Sequence, residues 1–283
     1  MTPRSFVQVD VFTERAFLGN PVAVVLDAEG MSDDEMQSFG RWTNLSETVF
    51  VLPSDSADYR LRIFTPKSEL PFAGHPTVGA GHAVREAGLV DRGRSHFVQE
   101  CAAGLIPLAV DEGGAVHARV PRAKVVELDF DPGHFAAAVG GVGVADPMAI
   151  HVGPTWIVAR VGPASLFALT PSMAVMAALN TATSTTGITL YAVLERESGP
   201  EVHVRSFAPA DGVPEDPVCG SGNAAVAAHL RVTGRLDQVG TSYVARQGRS
   251  IGRDGFVSVT VEGEDIWIGG RAVTVIRGTT ITG

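Results

Sequence analysis

The chain has 283 residues, 45% of them hydrophobic and 19% charged, with 32 Gly and 17 Pro spread along it, which fits two globular domains of about 140 residues and a cleft between them, not a disordered polymer. A net charge of −9, from 31 acidic and 22 basic residues with no extended Lys/Arg run, lacks the phosphate-binding footprint of a nucleic-acid partner. No apolar run approaches the roughly 18 residues of a membrane span, and the start MTPRSFVQVDVF has no secretory h-region, so a cytoplasmic protein without membrane attachment is expected.

In chain order, strands are expected at 6–12 and 22–26, then a surface helix at 32–42, where Ser32 and Glu35 form an S-x-x-E capping box and Asp33, Asp34 and Glu35 are solvated first-turn acids. Strands follow at 48–52, 59–64 and 105–110 in the first half. The second half reads as strands at 116–120, 150–152, 156–161, 189–194, 202–207, 242–245, 257–261 and 267–275.

The chain is also a duplication. Residues 62–88 (RIFTPKSELPFAGHPTVGAGHAVREAG) and 205–234 (RSFAPADGVPEDPVCGSGNAAVAAHLRVTG) both begin R-x-F-x-P and cross a Pro-rich loop to Gly74 and Gly220. Both then close at a later glycine, Gly88 or Gly234. Between those glycines, small and apolar residues cover most faces of a helix, the pattern of one buried all round. Pro76 at a first helical position and Ser221 as an N-cap would start these helices, and the closing glycines suit left-handed ends. The echo extends to GNPVAVV at 19–25 against GPTWIVA at 153–159, and to SETVFV at 46–51 against GITLYA at 187–192, which sets Glu47 opposite Ile188.

Few residues in this frame can do chemistry. Glu47, at the entrance of a strand on the side of Val49 and Val51, would be partly buried, and burial raises a carboxylate pKa toward the range of a general acid/base. His75 opens the first central helix, where amides and helix dipole favour an anion. Asp216 lies in PEDPVCGSGN, whose Gly220, Ser221 and Gly222 can present N–H groups and a hydroxyl to a carboxylate. Cys219 stands at a helix N-terminus, where thiols are activated, against Ala73 in the first half. Cys101 reads as a packed strand-edge residue, and His82 and His229 as helix-core groups. Cys101 and Cys219 make no CxxC and the histidines no HxxxH or HExxH, so no disulfide framework and no metal are expected.

With QVDVF, GNPVAVV, NLSETVFV, RIFTPKSELPFAGHPTVG, GPTWIV, FAPADGVPEDPVCGSGNAAV and a terminal RQG…IWIGGRAVTV, the chain resembles the PhzF-like isomerases of phenazine biosynthesis over essentially its whole length. The resemblance implies an α+β, diaminopimelate epimerase-like fold. Its two pseudo-equivalent domains, 1–114 and 115–283, are each a rolled, mostly antiparallel sheet around a central helix, with the last strand, about 266–283, able to return to the first. It further implies a homodimer and a cofactor-independent isomerase that moves a C–H proton and double bond on a small cyclic carboxylate, as in trans-2,3-dihydro-3-hydroxyanthranilate isomerisation. The catalytic roles fall on Glu47, His75 and Asp216, and substrate binding on Ser46, Gly74, Gly220, Ser221 and Cys219. Cys219 departs from the family's usual Thr, while diaminopimelate-type epimerases place a catalytic Cys before a matching GSG. An epimerase using Cys219 is therefore the alternative, with a non-catalytic carboxylate-binding protein as the third reading.

Overall fold

The computed structural model describes residues 2–282. The backbone forms two compact units, one running to Pro121 and taking in the stretch from Gly269 onward, the other spanning Arg122–Ile268.

The first unit contains β1 (Thr2–Val11), β2 (Asn20–Val25), α1 (Asp33–Thr43), β3 (Thr48–Leu52), β4 (Tyr59–Phe64), β5 (Glu69–Leu70), α2 (Gly74–Glu86), β6 (His96–Cys101), β7 (Gly104–Val110) and β8 (Val116–Arg119). The chain's last strand, Ala272–Thr282, pairs antiparallel with β1. The order continues β1–β2 antiparallel, β2–β3 parallel, β3–β4 antiparallel, β4–β6 parallel, and β6–β7 and β7–β8 antiparallel. This sheet rolls around α2, which packs on β1, β2, β3, β4, β8 and the last strand. The helix fits because it is small on the contact faces: a Cβ on Gly79 would stand 2.5 Å from Val22, and one on Gly81 2.9 Å from Leu108. Outside, α1 lays Met36 and Phe39 over Val25, Phe50 and Phe64, so β2 and β3 are buried on both faces and read as continuous apolar runs. Its capping box is formed, Ser32 accepting from Glu35 N and Glu35 returning the bond to Ser32 N.

The second unit contains β9 (Lys124–Val126), α3 (Pro132–Ala138), β10 (Val144–His151), β11 (Thr155–Val161), α4 (Pro163–Ala168), α5 (Met173–Thr183), β12 (Gly187–Leu194), β13 (Glu201–Ala208), β14 (Val213–Asp216), α6 (Gly220–Val232), β15 (Ser242–Gln247), β16 (Gly255–Glu262) and most of β17 (Asp265–Gly270). Its pairings repeat the pattern of the first unit: β10–β11 antiparallel, β11–β12 parallel, β12–β13 antiparallel, β13–β15 parallel and β15–β16 antiparallel. The sheet encloses α6 as the first encloses α2, with α6 packed on β10, β11, β12 and β16. On the other face α3 and α5 bury Phe135, Met176 and Leu179 against Ile157, Ile188 and Leu190.

Four expectations are corrected here. The strand expected at 267–275 is two strands, broken at Arg271, whose carbonyl accepts the N–H of Thr13. The helix α2 begins at Gly74, so Pro76 is its third residue, where a missing N–H is as harmless as at the first. The N-cap of α6 is Cys219, not Ser221: its backbone is extended and its Sγ accepts the Gly222 N–H at 3.2 Å. The counterpart of Glu47 also shifts. Thr48 pairs with Ala23 and Phe64, Ile188 with Ile157 and Phe207, and these partners are equivalent in the repeat, so Glu47 corresponds to Gly187 and not to Ile188. A Cβ on Gly187 would lie 2.1 Å from the Phe207 carbonyl and 2.6 Å from the Trp156 ring, leaving no room for any side chain.

Candidate active site

Glu47 sits in the short link between α1 and β3. Asn44 ends α1 in the left-handed conformation, φ 54°, and the Thr43 and Thr48 hydroxyls meet at 2.6 Å, clamping the link that carries Ser46 and Glu47. His75 is the second residue of α2, whose first turn receives no side-chain cap. Glu47 Oε2 lies 3.4 Å from His75 Nδ1, with the side chains 15% and 4% exposed. A carboxylate and an imidazole at that separation, screened from bulk water, can pass a proton between them or hold it as an ion pair. Gly74 precedes His75 at the start of the same turn, where helix amides and dipole favour negative charge.

Behind this turn runs a buried chain of hydrogen bonds. The Tyr59 hydroxyl donates to Gln99 Oε1 at 3.0 Å, and Gln99 Nε2 donates to Thr77 Oγ1 at 3.1 Å. Burial pushes the Tyr59 phenol well above its ordinary pKa, so it stays a donor and fixes the Gln99 amide. The chain ties the fourth residue of α2 to β4 and β6, so the His75 turn cannot drift from the sheet.

The matching turn of the second unit has a similar frame and different chemistry. Asn223, the fourth residue of α6, donates to Gln247 Oε1 at 2.9 Å and to the Cys219 carbonyl at 2.8 Å, while Gln247 Nε2 donates to the Asp216 carbonyl at 3.0 Å. The Asp216 carboxylate accepts the Val218 N–H at 3.0 Å, a turn contact that fixes its direction. Neighbouring Glu215 is held by a bidentate pair with Arg205, at 2.9 and 2.8 Å, and is structural. Ser221 Oγ accepts the Trp156 indole N–H at 3.1 Å and lies 3.6 Å from Cys219 Sγ. Gly222 cannot carry a side chain, since a Cβ would meet Ser206 Oγ at 2.5 Å.

The eight site residues thus form two groupings. Ser46, Glu47, Gly74 and His75 are gathered in the first unit, Asp216, Cys219, Gly220 and Ser221 in the second. Among the described residues no group of three or more His, Cys, Asp or Glu side chains is arranged to hold a metal. No helix of the described residues is long and apolar enough to cross a membrane. Sequence reasoning missed Trp156 and the Thr77–Gln99 and Asn223–Gln247 supports. It also missed the buried Asp10, which accepts the Gly19 N–H at 3.2 Å beside the β1–β2 hairpin loop. The signal for Trp156 was in the repeat itself, where the echo of GNPVAVV by GPTWIVA sets an indole opposite Val22.

The family model of phenazine biosynthesis-like proteins, PhzC-PhzF, matches residues 9–278. The chain is 36% identical to the Antisense-enhancing sequence 1 protein of Schizosaccharomyces pombe, over 98% of this chain and 99% of that one. It is 32% identical to the trans-2,3-dihydro-3-hydroxyanthranilate isomerase of Pseudomonas aeruginosa, over 91% of this chain and 90% of that one. Among solved structures, the Bacillus anthracis phenazine biosynthesis protein of the PhzF family superposes with a TM-score of 0.83 at 26% identity, covering 99% and 100% of the two chains. A hydroxyproline epimerase from Agrobacterium vitis, at 18% identity and a TM-score of 0.66 over 99% and 92%, shares the fold. With two α+β units of matching strand order and a family match over nearly its whole length, this chain belongs to the phenazine biosynthesis-like PhzC-PhzF family and has the fold of the diaminopimelate epimerase and proline racemase group.

Proposed function

We propose that the protein is a cofactor-independent isomerase that moves a C–H proton, and with it a double bond, on a small cyclic carboxylate, with Glu47 as the proton carrier. The observation that carries this reading is the screened Glu47–His75 contact at 3.4 Å, in a link of the repeat where the acid stands opposite a glycine. The isomerase names among the relatives support the reaction class.

The chemistry needs one group that takes a proton from carbon and returns it to another carbon of the same delocalised system. Glu47 as carboxylate removes the proton, and the carboxyl group so formed delivers it. His75 orients the carboxylate through Nδ1 and stabilises its charged form. Asp216 polarises the substrate, and Ser46, Gly74, Gly220 and Ser221 bind it, the last through its hydroxyl to the carboxylate. Glu47→Gln removes the carrier with little change of shape, so kcat should fall by about 10²–10⁴-fold while KM and thermal midpoint stay close to wild type. Near-wild-type turnover would remove Glu47 from the mechanism. The same reading carries the homodimer and cytoplasmic setting of the sequence analysis, the first checked by light scattering and the second by cell fractionation.

A second reading, an amino-acid epimerase using Cys219, is favoured by one observation, a thiol at the N-cap of α6 before Gly-Ser-Gly. Against it, the equivalent N-cap in the first unit is Ala73, so no thiol pair exists for two-sided exchange.

A further inference from the structure

In both units the second residue of the central helix is met by a side chain from the surrounding sheet region. For His75 this partner is the Glu47 carboxylate at 3.4 Å; for Ser221 it is the Trp156 indole N–H at 3.1 Å. The two arrangements exclude one another sterically. The Trp156 ring stands 2.6 Å from where a Cβ of Gly187 would be, and Gly187 is the counterpart of Glu47. In the second unit, then, an indole takes the space an acid would need.

The replacement has a chemical consequence. A hydroxyl has one donor and two acceptor positions. An indole N–H only donates, so with Trp156 donating to Ser221 Oγ, the Ser221 proton is directed elsewhere. Within the protein the neighbouring acceptor is Cys219 Sγ at 3.6 Å, a long and weak contact. We propose that Trp156 is a positioning residue that keeps the Ser221 hydroxyl a donor toward the substrate carboxylate. This rests on the reading of Ser221 as a carboxylate ligand given above. In this role Trp156 gives Ser221 a donor partner where Glu47 gives His75 an acid. Its weight falls on binding, so the effect belongs to Kd and KM and not to kcat.

The test is calorimetric titration with anthranilate, the aromatic ring skeleton of the relative's named substrate, which has no sp³ C–H to exchange. Performed in the Glu47→Gln background, it reads binding without turnover, so its outcome is independent of whether Glu47 carries the proton. Trp156→Phe keeps the ring and removes the N–H; Ser221→Ala removes the hydroxyl and leaves Trp156 in place. Each should raise Kd about fivefold or more, the loss expected for one hydrogen bond, and the double variant should be no weaker than Ser221→Ala alone. With Glu47 restored, Trp156→Phe should raise KM and spare kcat. An unchanged Kd in Trp156→Phe overturns the proposal. So does a loss additive with that of Ser221→Ala, which would mean packing alone, and so does failure of the parent protein to bind anthranilate at millimolar concentration. If Trp156→Phe unfolds, Ser221→Ala alone decides: an unchanged Kd there overturns it.

Discussion

Glu47 and His75 stand 3.4 Å apart, and the chain brings them together from two different supports. Glu47 hangs from a link clamped by the Thr43–Thr48 hydroxyl pair, and His75 from a helix turn anchored through Thr77 to Gln99. Both supports are hydrogen-bonded to the surrounding elements, so the two side chains meet from anchored backbone. Geometry of this kind is already paid for in folding and costs nothing when substrate arrives.

The thiol gives the first discriminating prediction. If Cys219 serves as N-cap and not as base, Cys219→Thr, which keeps a capping side chain, should retain kcat within about threefold and shift thermal stability by only a few degrees. Loss of turnover in that variant, with α-carbon exchange on amino acids in the wild type, would support the epimerase reading. Steady-state kinetics and a melting curve on the same preparation check both parts.

Much of this frame was legible in the sequence, and the failures have physical causes. The strands at 48–52 and 59–64 and the Ser32 capping box were recovered because alternation, apolar runs and short-range caps are local signals. The helix α5 was missed because MAVMAALNTAT is apolar nearly throughout and carries no side-chain cap, so nothing marks a face until it packs on Ile157 and Ile188. The pairing of Glu47 with Ile188 failed because an alignment of echoes tolerates a one-residue slip, whereas strand register does not. Likewise Glu47 and His75 could be named singly from the chain, but their contact depends on two segments folded onto one sheet, and no local pattern encodes that.

Gly187 offers a test of the corrected equivalence. A methyl at this position would overlap the Phe207 carbonyl and the Trp156 ring, at 2.1 and 2.6 Å, and neither can withdraw from a paired strand and a packed core. Gly187→Ala should therefore cost about 3 kcal/mol or more, seen as a lower urea midpoint with an unchanged slope. Gly278→Ala, with open space around the added carbon, is the control and should stay within about 0.5 kcal/mol. Equal behaviour of the two variants would contradict the packing described.

Stability should also fall in mild acid. His229 is fully buried and neutral in one tautomer, Nε2 donating to the Asp146 carbonyl at 2.6 Å and Nδ1 accepting from Tyr191 at 2.9 Å. Burial is the main cause that lowers its pKa, opposed by Asp146 and assisted by Arg235 and Arg160; burial likewise raises the Tyr191 phenol to about 12, so it remains a donor. His82 on α2 is lowered chiefly by burial as well, against the raising effect of Glu86. For both histidines the unfolded chain binds the proton more tightly, so their contribution is complete above about pH 6.5 and is lost as pH drops below that value through the folded pKa values. Urea midpoints at pH 7.5, 6.5 and 5.5 should decline in that order, and the decline should be shallower in His229→Gln. A flat profile would mean that these groups titrate as they do in water.

The central claim is that Glu47 alone carries the proton. Proton NMR in D2O measures this most directly, with trans-2,3-dihydro-3-hydroxyanthranilate as first substrate, followed by related cyclic carboxylates, and with wild type, Glu47→Gln and Cys219→Thr in parallel. The account predicts rearrangement or exchange of a ring C–H by wild type and Cys219→Thr and none by Glu47→Gln. Exchange that survives Glu47→Gln, or that appears only at an amino-acid α-carbon and vanishes with Cys219, would contradict it.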